Sequence, residues 1–413
     1  MMRSLDNTLA LGLLSFFASS GMVHAQTAAY AVTVDKAVNG TVKLNPPLPA
    51  DGKYPAGTVV TITAMPSAGY VLDSGYYSAR GRFGQMFYES MASPFKVTID
   101  QDKHVGASFI EKAKVDHLRV TQDVVYAKPG VKALKYDVFS PTGARNLPCI
   151  VIIHGGGWAA NTEDIMRGMA RELTRSRKYV VFSIDYRWAQ KGDGDATNNT
   201  MANLIEDVYG AIAHIQEHAA EYGANPAKIA VTGDSAGGHL SAAAINLADK
   251  IGNGGFGKKP GVFEFTPTYI PKNKTVEQVR ADMMAAIQAA APSYGVFGGA
   301  MLSHYSDDPA ANDLWKDAVA PQSHVPNVKD RAAPQYLLRG TADPLIKDEA
   351  VKAYVDALVK AGQRVEYVQV GGAGHAFFDW KPDEGTKATF AKYGVFYCAE
   401  MEAFFNSVFY PAK

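Results

Sequence analysis

The pattern of hydrophobic and polar positions divides the chain into two parts that meet near residue 112. In the first part, apolar residues alternate with polar residues in short runs, which is the period of half-buried β-strands. The alternation begins at Tyr30, Val32 and Val34, and turns rich in glycine, asparagine and proline separate the later runs. The pattern predicts a small all-β module over residues 28–111.

The second part, residues 118–413, combines continuous apolar runs with segments of helical periodicity. Continuous runs are typical of strands covered on both faces, and apolar positions three or four residues apart indicate amphipathic helices. Strands are predicted over residues 120–126, 134–139, 150–153, 180–184, 229–232, 336–338 and 365–370. Because strands and helices alternate, we expect an α/β domain with a mostly parallel sheet flanked by helices, led by an antiparallel strand pair.

One segment interrupts this alternation at about residues 250–290. Glycines and the aromatic residues Phe263, Phe265 and Tyr269 precede a predicted helix over residues 275–290. The segment is interpreted as a cap or lid over a pocket. Its aromatic residues either contact an acyl or aromatic group of the substrate or, as we favour, pack the segment onto the domain body.

The first 25 residues have the pattern of a cleaved signal peptide. Arg3 gives a weakly positive start, and the apolar run over residues 9–17 is too short to cross a bilayer. A small-x-small pattern then ends at Ala25. We therefore expect cleavage near Ala25 and a secreted protein, extracellular or periplasmic, with an uncleaved anchor as the alternative. No later segment is long and apolar enough to predict a membrane span.

Composition narrows the choice of partners. Lysine plus arginine and aspartate plus glutamate both number 41, so the formal net charge is zero. This balance does not favour nucleic acid or an anionic membrane as a partner. The two cysteines, Cys149 and Cys398, are too few for a disulfide scaffold, and no spacing of cysteine or histidine suggests a structural metal. Both are expected to be buried free thiols, with a bridge between them as the alternative.

Candidate chemistry begins with the sequence Gly-Asp-Ser-Ala-Gly at residues 233–237, which has the Gly-x-Ser-x-Gly pattern of a nucleophile elbow. A predicted strand ends just before it, and an alanine-rich helix follows it. A serine in such a tight turn has a strained backbone, and small neighbours let the chain and the substrate approach it. The pattern predicts Ser235 as a nucleophile at the N-terminus of a helix, where negative charge is favoured.

A glycine-rich loop with the sequence His-Gly-Gly-Gly-Trp occupies residues 154–158, directly after a predicted strand. Consecutive glycines leave backbone N–H groups uncovered, and acyl transfer needs such donors for the negative oxygen of its tetrahedral intermediate. The predicted oxyanion donors are the backbone N–H groups of Gly156, Gly157 and Ala236, with Gly155 as an alternative to either glycine. Trp158 is a candidate substrate-binding residue.

A serine nucleophile needs a base, and the base needs an acid that orients it. His375 lies in a glycine-rich loop after the last predicted strand, and Asp343 follows the preceding predicted strand. Because the carboxyl ends of parallel strands meet at one edge of a sheet, we expect Ser235, His375 and Asp343 to converge there. Asp379 is an alternative orienting acid.

Other polar residues beside the predicted site have neighbours that suit packing rather than catalysis. His154 and His239 flank glycines, but their surroundings indicate loop and helix packing. The sequence Asp-Tyr-Arg at residues 185–187 follows a predicted strand and is interpreted as a buried unit of salt bridges and hydrogen bonds that holds the sheet edge.

Together these motifs resemble those of the hormone-sensitive-lipase-like and carbohydrate-esterase branches of the α/β-hydrolase superfamily. The resemblance covers roughly residues 118–413 and includes the glycine loop, the Asp-Tyr-Arg sequence, the elbow, and the segments of Asp343 and His375 in the expected order. It implies an α/β-hydrolase fold, a serine esterase with Ser235, His375 and Asp343 as its triad, and a monomer or dimer without a cofactor.

The module resembles the β-repeat of internalin-type and other bacterial surface proteins, through its strands and turns at residues 30–34, 39–42, 68–70 and 105–109. The resemblance implies an adhesion or spacer role. The aromatic residues of the module are either a sugar-binding face that contacts polysaccharide or, more often for such residues, the filling of a small core. They are Tyr76, Tyr77, Phe83, Phe87 and Tyr88.

The sequence as a whole predicts a secreted carboxylic ester hydrolase that forms an acyl-enzyme on Ser235. Acetyl or feruloyl esters of plant polysaccharides are the favoured substrates. A general short-chain carboxylesterase or lipase, including a polyester hydrolase, is the alternative. A serine peptidase and a non-catalytic binding protein are weaker alternatives, because no propeller-sized domain precedes the hydrolase and the predicted triad and oxyanion loop are both intact.

Overall fold

The computed structural model describes residues 28–81, 84–192, 194–196, 198–253, 264–302 and 316–411. The predicted signal peptide and the aromatic residues Phe83 and Phe263 lie outside these ranges. Among the helices within these ranges, none combines the length and the apolar character that crossing a membrane requires.

The described residues of the N-terminal module form eight β-strands in two sheets. They are β1 (Ala29–Val34), β2 (Gly40–Asn45), β3 (Lys53–Pro55), β4 (Val59–Pro66), β5 (Tyr70–Gly81), β6 (Gly84–Ser90), β7 (Phe95–Thr98) and β8 (Lys103–Glu111). One sheet has the strand order β3-β1-β8-β5-β6, and the other has the order β2-β4-β7. Strand β1 pairs with β8 in parallel, so the first and last strands of the module are neighbours in the sheet.

The module has a small hydrophobic core to which both sheets contribute. Ile62, Ile99 and Val105 are fully buried in it, and Val32, Leu44, Tyr54, Val60 and Val97 complete it. Residues two apart along each strand point to the same face, so the alternation in the sequence accounts for this core.

The aromatic residues of the module pack on one another across β5 and β6. Tyr76 meets Phe87 edge to face at 5.7 Å between ring centroids, and Tyr77 stacks on Tyr88 at 5.1 Å. Tyr76 is also buried. These contacts agree with the packing interpretation, while sugar binding by these rings stays a prediction.

The C-terminal domain, predicted over residues 118–413, contains an eight-stranded sheet within the described residues. Its strands are β9 (Leu118–Ala127), β10 (Leu134–Pro141), β11 (Leu147–Ile153), β12 (Val180–Ile184), β13 (Ala224–Asp234), β14 (Ile287–Ser293), β15 (Gln335–Gly340) and β16 (Val365–Val370). The order is β16-β15-β14-β13-β11-β12-β10-β9. The six strands β11 to β16 run parallel. Strand β10 is antiparallel to both β9 and β12, in agreement with the predicted leading antiparallel pair.

Helices flank this sheet. They are α1 (Arg167–Thr174), α2 (Met201–His218), α3 (Ala236–Asn246), α4 (Val276–Ala286), α5 (Asp348–Lys360), α6 (Glu384–Thr389) and α7 (Val395–Phe409), with a π-helical segment at Phe390–Gly394. Helix α3 packs on β13 and β14, and α1 packs on α7. The predicted mostly parallel sheet with flanking helices is therefore the observed architecture.

The predicted helix over residues 275–290 was wrong at its C-terminal end. Helix α4 ends at Ala286, and the next residues form β14 between β13 and β15. Alanine favours helix by intrinsic propensity, which explains the misreading. In the fold, Gly238 lets α3 approach β14 closely, since a Cβ added to it would lie 2.6 Å from the Ser293 carbonyl oxygen.

The described part of the predicted cap packs against the domain body. Phe265 is fully buried, with its ring centroid 6.0 Å from that of Tyr209 on α2. The Tyr269 hydroxyl donates a hydrogen bond to Glu217 on the same helix. These contacts confirm the packing interpretation for both aromatic residues. Residues 254–263 lie outside the described ranges, so a cap over the pocket stays a prediction.

A buried ion-pair network joins the module to the C-terminal domain. Arg167 of α1 places Nε 3.1 Å from Asp73 Oδ1 and Nη2 2.6 Å from Glu89 Oε2. Arg171 also binds Asp73, whose second oxygen accepts the indole N–H of Trp380 at 3.0 Å. The Arg167 side chain is only 1% exposed, so these charges are shielded from water. The module and the domain thus contact each other through a buried cluster of charged groups.

A second buried network holds the sheet edge beneath the glycine loop. Lys132 Nζ lies 2.7 Å from Asp185 Oδ2, and His154 Nε2 lies 3.2 Å from Asp185 Oδ1. Arg187 Nη2 lies 2.8 Å from Asp207 Oδ1 on α2. These contacts confirm the interpretation of the Asp-Tyr-Arg sequence and of His154 as structural.

The two cysteines are separate, buried, free thiols. Cys149 Sγ lies 3.3 Å from the carbonyl oxygen of Asn225, and burial raises the pKa of the Cys149 thiol to about 12. A thiol with so high a pKa stays protonated and acts as a small apolar core residue rather than a nucleophile.

Candidate active site

Ser235 lies in a sharp turn between β13 and α3. Its backbone has φ 53° and ψ −113°, a combination that residues with a side chain rarely adopt. The turn is held because the Ser235 N–H donates to the Ser293 carbonyl at 3.0 Å and the His239 N–H donates to the Ser235 carbonyl at 3.1 Å. A Cβ on Gly237 would lie 1.9 Å from the Ile153 carbonyl oxygen, so only glycine fits. This is the elbow geometry that the sequence predicted.

The structure brings the three predicted triad residues together at the carboxyl edge of the sheet. His375 Nε2 lies 2.8 Å from Ser235 Oγ, and His375 Nδ1 lies 2.8 Å from Asp343 Oδ2. With Nδ1 donating to the carboxylate, Nε2 is left to accept the serine hydroxyl proton. A continuous hydrogen-bonded path therefore runs from the hydroxyl to a carboxylate that is fully buried.

Asp343 is anchored by its own turn. Its Oδ1 atom accepts the N–H groups of Leu345 at 2.8 Å and Ile346 at 3.0 Å, which leaves Oδ2 for the histidine. Asp379, the alternative orienting acid, instead places Oδ2 3.1 Å from Lys381 Nζ. The geometry therefore favours Asp343 over Asp379 as the acid that orients His375.

The glycine loop lies beside the elbow and presents backbone donors. The Gly155 N–H donates to Asp234 Oδ1 at 2.7 Å, so it is not available to an oxyanion. The N–H groups of Gly156, Gly157 and Ala236 form no hydrogen bond with other residues of the described ranges. Gly156 has φ 116°, a conformation that glycine alone adopts without strain. The predicted donor set is thus the one whose N–H groups are available.

Asp234 is a site residue whose role the sequence pattern did not reveal. Its side chain is buried and binds Gly155, which ties the elbow to the glycine loop. Burial, and then the nearby Asp379 carboxylate, raise the pKa of Asp234 well above its ordinary value. Asp379 lies four residues after His375 and pairs with Lys381. The acidic pair of Asp234 and Asp379 therefore extends from the elbow to the loop of His375. The sequence did contain a signal for this role, because Asp234 is an acidic residue in a Gly-x-Ser-x-Gly turn whose other residues are small.

Asp234→Ala is expected to lower kcat by about ten- to a hundredfold, because the oxyanion loop loses the acceptor that positions it. Asp234→Asn keeps an oxygen acceptor for the Gly155 N–H and is expected to retain most activity. The measurement is kcat and KM for 4-nitrophenyl acetate, with the exposed Asp330→Ala as the matched control. An unchanged kcat in Asp234→Ala would show that the loop holds its position without this bond.

Trp158 and His239 pack on each other beneath the loop. Trp158 Nε1 donates to His239 Nδ1 at 3.2 Å, and His239 Nε2 donates to the Val319 carbonyl at 2.8 Å. Burial lowers the pKa of His239 to about 4, so this ring stays neutral and structural. Trp158 is only 5% exposed, which leaves little of its surface for a ligand. Substrate contact by Trp158 stays a prediction.

One group of carboxylates in the described residues lies close enough together to hold a cation. It consists of Asp123, Asp137 and Glu163, away from the triad. Lys135 already supplies a positive charge there, since it binds Asp123 and places Nζ 3.1 Å from Glu163 Oε1. The arrangement is a lysine ion-pair cluster rather than a prepared metal site.

Two family models match the chain. The model of the BD-FAE family matches residues 136–358, and the model of the divergent InlB B-repeat domain matches residues 30–113. The first match covers more than half of the chain, including Ser235 and Asp343. The second confirms the resemblance of the module to a bacterial surface-protein repeat.

Known relatives of the hydrolase domain are named as ester hydrolases. Carboxylic ester hydrolase LipN of Mycobacterium tuberculosis is 31% identical over 252 residues, 58% of this chain and 60% of LipN. Esterase LipQ of the same organism is 29% identical over 279 residues, 62% of this chain and 57% of LipQ. The chain thus spans no more than 60% of either relative.

Solved structures address the fold. A propionate-bound thermophilic esterase from Thermogutta terrifontis superposes with a TM-score of 0.52 at 24% identity, over 71% of this chain and 97% of that chain. The native form of the same esterase gives a TM-score of 0.51 at 25% identity, over 72% of this chain and 94% of that chain. These likenesses confirm the predicted α/β-hydrolase fold.

Proposed function

The chain belongs to the BD-FAE family, and from this premise we propose that it is a serine hydrolase that cleaves carboxylic esters. The observation that carries the proposal is the hydrogen-bonded path from Ser235 through His375 to Asp343, with 2.8 Å at each step. The available N–H groups beside it are the donors that acyl transfer needs. Relatives named as ester hydrolases support the reaction class.

In the proposed reaction, Ser235 Oγ attacks the ester carbonyl carbon while His375 Nε2 accepts the hydroxyl proton. Asp343 stabilises the imidazolium through its hydrogen bond with Nδ1. The oxyanion donors bind the negative oxygen of the tetrahedral intermediate, which collapses as the alcohol leaves with the proton from His375. Water then attacks the acyl-serine with His375 as the base, and the carboxylic acid and the free serine are released.

Within this class, acetyl or feruloyl esters of plant polysaccharides are the proposed substrates. Two features support a polymer outside the cell as the target. One is the predicted leader, and the other is a module of the kind found in bacterial surface proteins. Contact of the module with polysaccharide belongs to the same proposal.

The test is a panel of 4-nitrophenyl and methyl esters that runs from acetate through long acyl chains to ferulate, with Ser235→Ala as the blank. Preference for acetate or ferulate supports the polysaccharide esterase and leads to acetylated and feruloylated xylan as substrates. A maximum at medium or long chains would replace it with a lipase or polyester hydrolase. If no ester is hydrolysed in a Ser235-dependent manner, the proposed reaction class is wrong.

Secretion is proposed with cleavage near Ala25, so the mature chain is expected to begin at Gln26. N-terminal sequencing of protein recovered from the periplasm or the medium of a bacterial host tests this. Protein that keeps its first 25 residues and stays with the membrane fraction would instead support the uncleaved anchor.

A further inference from the structure

A cleft of about 620 Å³ lies between the module and the hydrolase domain. Tyr70 and Phe109 line it from the module, and Trp380 and Phe390 line it from the hydrolase domain. Its volume falls within the range of small-molecule sites, about 300–1,000 Å³, and domain boundaries are a preferred place for them. The catalytic serine and histidine do not line it, so the cleft is separate from the site described above.

The charged groups on the cleft walls largely compensate one another. At the floor, Arg171 binds Asp73, and one exposed lysine, Lys36, lies at the wall without an acidic partner in the described ranges. Three further ion pairs lie on the walls, namely Glu111–Lys114 at 3.6 Å, Glu172–Arg175 at 3.1 Å and Glu384–Lys387 at 3.3 Å. A nearly balanced wall does not concentrate ions of either sign.

What the cleft offers a ligand is the half-buried rings of Tyr70, Phe109 and Trp380, interleaved with hydrogen-bonding groups. Phe390 is buried and contributes little surface to a ligand. A neutral sugar chain has the matching chemistry, because each ring presents apolar C–H faces and a rim of hydroxyl groups. A fatty acyl chain fits less well, since it would displace water from the charged side chains of the walls and offer them no hydrogen bonds in return. A nucleic acid would need an excess of positive charge that the balanced walls lack.

The cleft and the loop of the catalytic histidine contact the same helical segment. Residues 380–395 contribute most of its hydrolase wall. Within this stretch, the Tyr393 hydroxyl donates to the Gly372 carbonyl at 3.1 Å, three residues before His375. The histidine loop and the cleft therefore lie on different sides of one helical segment, whose diameter with side chains is about 10–12 Å.

We propose that this cleft binds a neutral oligosaccharide stretch of the polymer whose ester reaches Ser235. The inference rests on the proposed function for its link to catalysis, but the binding itself is independent of turnover. It assigns the module a direct part in substrate binding, because the module supplies one wall.

Binding is tested on the full chain carrying Ser235→Ala, titrated calorimetrically with xylohexaose, cellohexaose and mannohexaose. Ala391 is exposed and lines the cleft, so Ala391→Trp fills it and is expected to weaken binding at least tenfold. Ala399 is exposed on α7 outside the cleft, and Ala399→Trp is the matched control that keeps binding. Tyr70→Ala, on the module wall, is expected to weaken binding as well.

No binding of any of the three sugars would overturn the inference, and so would equal affinity in Ala391→Trp and Ala399→Trp. If Ala391→Trp fails to fold, as judged by circular dichroism, the sugar affinity of Tyr70→Ala decides instead. An affinity equal to that of the protein with Tyr70 would then overturn the inference. Ser235-dependent hydrolysis of 4-nitrophenyl acetate by the unmodified chain is measured in parallel. Hydrolysis without sugar binding rejects the cleft and keeps the esterase, whereas sugar binding without hydrolysis rejects the esterase and keeps the cleft.

Discussion

Ser235→Ala is expected to lower kcat for 4-nitrophenyl acetate by about 10⁵- to 10⁶-fold, because the covalent route through the acyl-enzyme is lost. A residual rate above that in water is expected, since the oxyanion donors still stabilise the transition state. Stability should change little, because the substitution removes one oxygen atom and leaves the elbow backbone in place. The measurement is the initial rate at saturating ester, with thermal unfolding recorded on the same preparations.

Ser67→Ala is a matched control for this experiment, since Ser67 is exposed in the module and far along the chain from the elbow. It should hydrolyse the ester at the wild-type rate. If Ser235→Ala keeps more than a few per cent of the wild-type rate, another residue supplies the nucleophile and the triad assignment is wrong.

Asp73→Ala is expected to lower the free energy of unfolding by about 3–5 kcal/mol, the usual cost of removing one partner of a buried ion pair. Asp73 binds two arginines of α1 and the indole N–H of Trp380. Its loss leaves Arg171 and the Trp380 N–H without this acceptor, while Arg167 keeps its ion pair with Glu89. Urea denaturation of the full chain measures the change. Asp116→Ala, at an exposed position of the connector, should leave the unfolding midpoint unchanged.

The same network predicts a dependence on pH. Burial alone would raise the pKa of Asp73, but the charges of Arg171 and Arg167 and the Trp380 hydrogen bond lower it well below its ordinary value. A carboxylate whose pKa falls on folding contributes stability above its unfolded-state pKa of about 4 and loses that contribution at lower pH. The wild type should therefore lose stability more steeply than Asp73→Ala as the pH falls below about 4. Parallel curves for the two proteins would show that the module and the domain are not coupled through this charge.

The hydrolase sheet and the triad were predictable because each rests on local sequence. Most buried parallel strands are continuous apolar runs, and each of the seven strands predicted for this domain lies within an observed strand. Ser235, Asp343 and His375 each follow one of these strands, so the order of the strands along the chain was enough to place them at one edge. The oxyanion loop was predictable for a similar reason, since successive glycines stand directly after β11.

The features that were missed depend on contacts between distant parts of the chain. Strand β14 is rich in alanine, and it is extended because it pairs with β13 and β15, which lie elsewhere along the chain. Asp234 gains its role from Gly155, which lies 79 positions earlier, and Asp73 meets Arg167 across 94 positions. The local periodicity of hydrophobic and polar residues gives no information about such distant pairs. The cleft is likewise formed by two segments that the sequence pattern treats as separate domains.

The parallel pairing of β1 with β8 has a consequence for how the chain folds as it is made. Synthesis proceeds from the N-terminus, so β1 emerges first, yet one of its two neighbours in the sheet spans residues Lys103–Glu111. The five-stranded sheet is therefore completed only when the whole module has emerged, and until then β1 has an unpaired edge. The ion pairs of Asp73 form later still, because Arg167 and Arg171 belong to α1, which is synthesised after the module. A nascent chain that ends between the module and α1 would carry every module strand and still lack the cations that this aspartate requires.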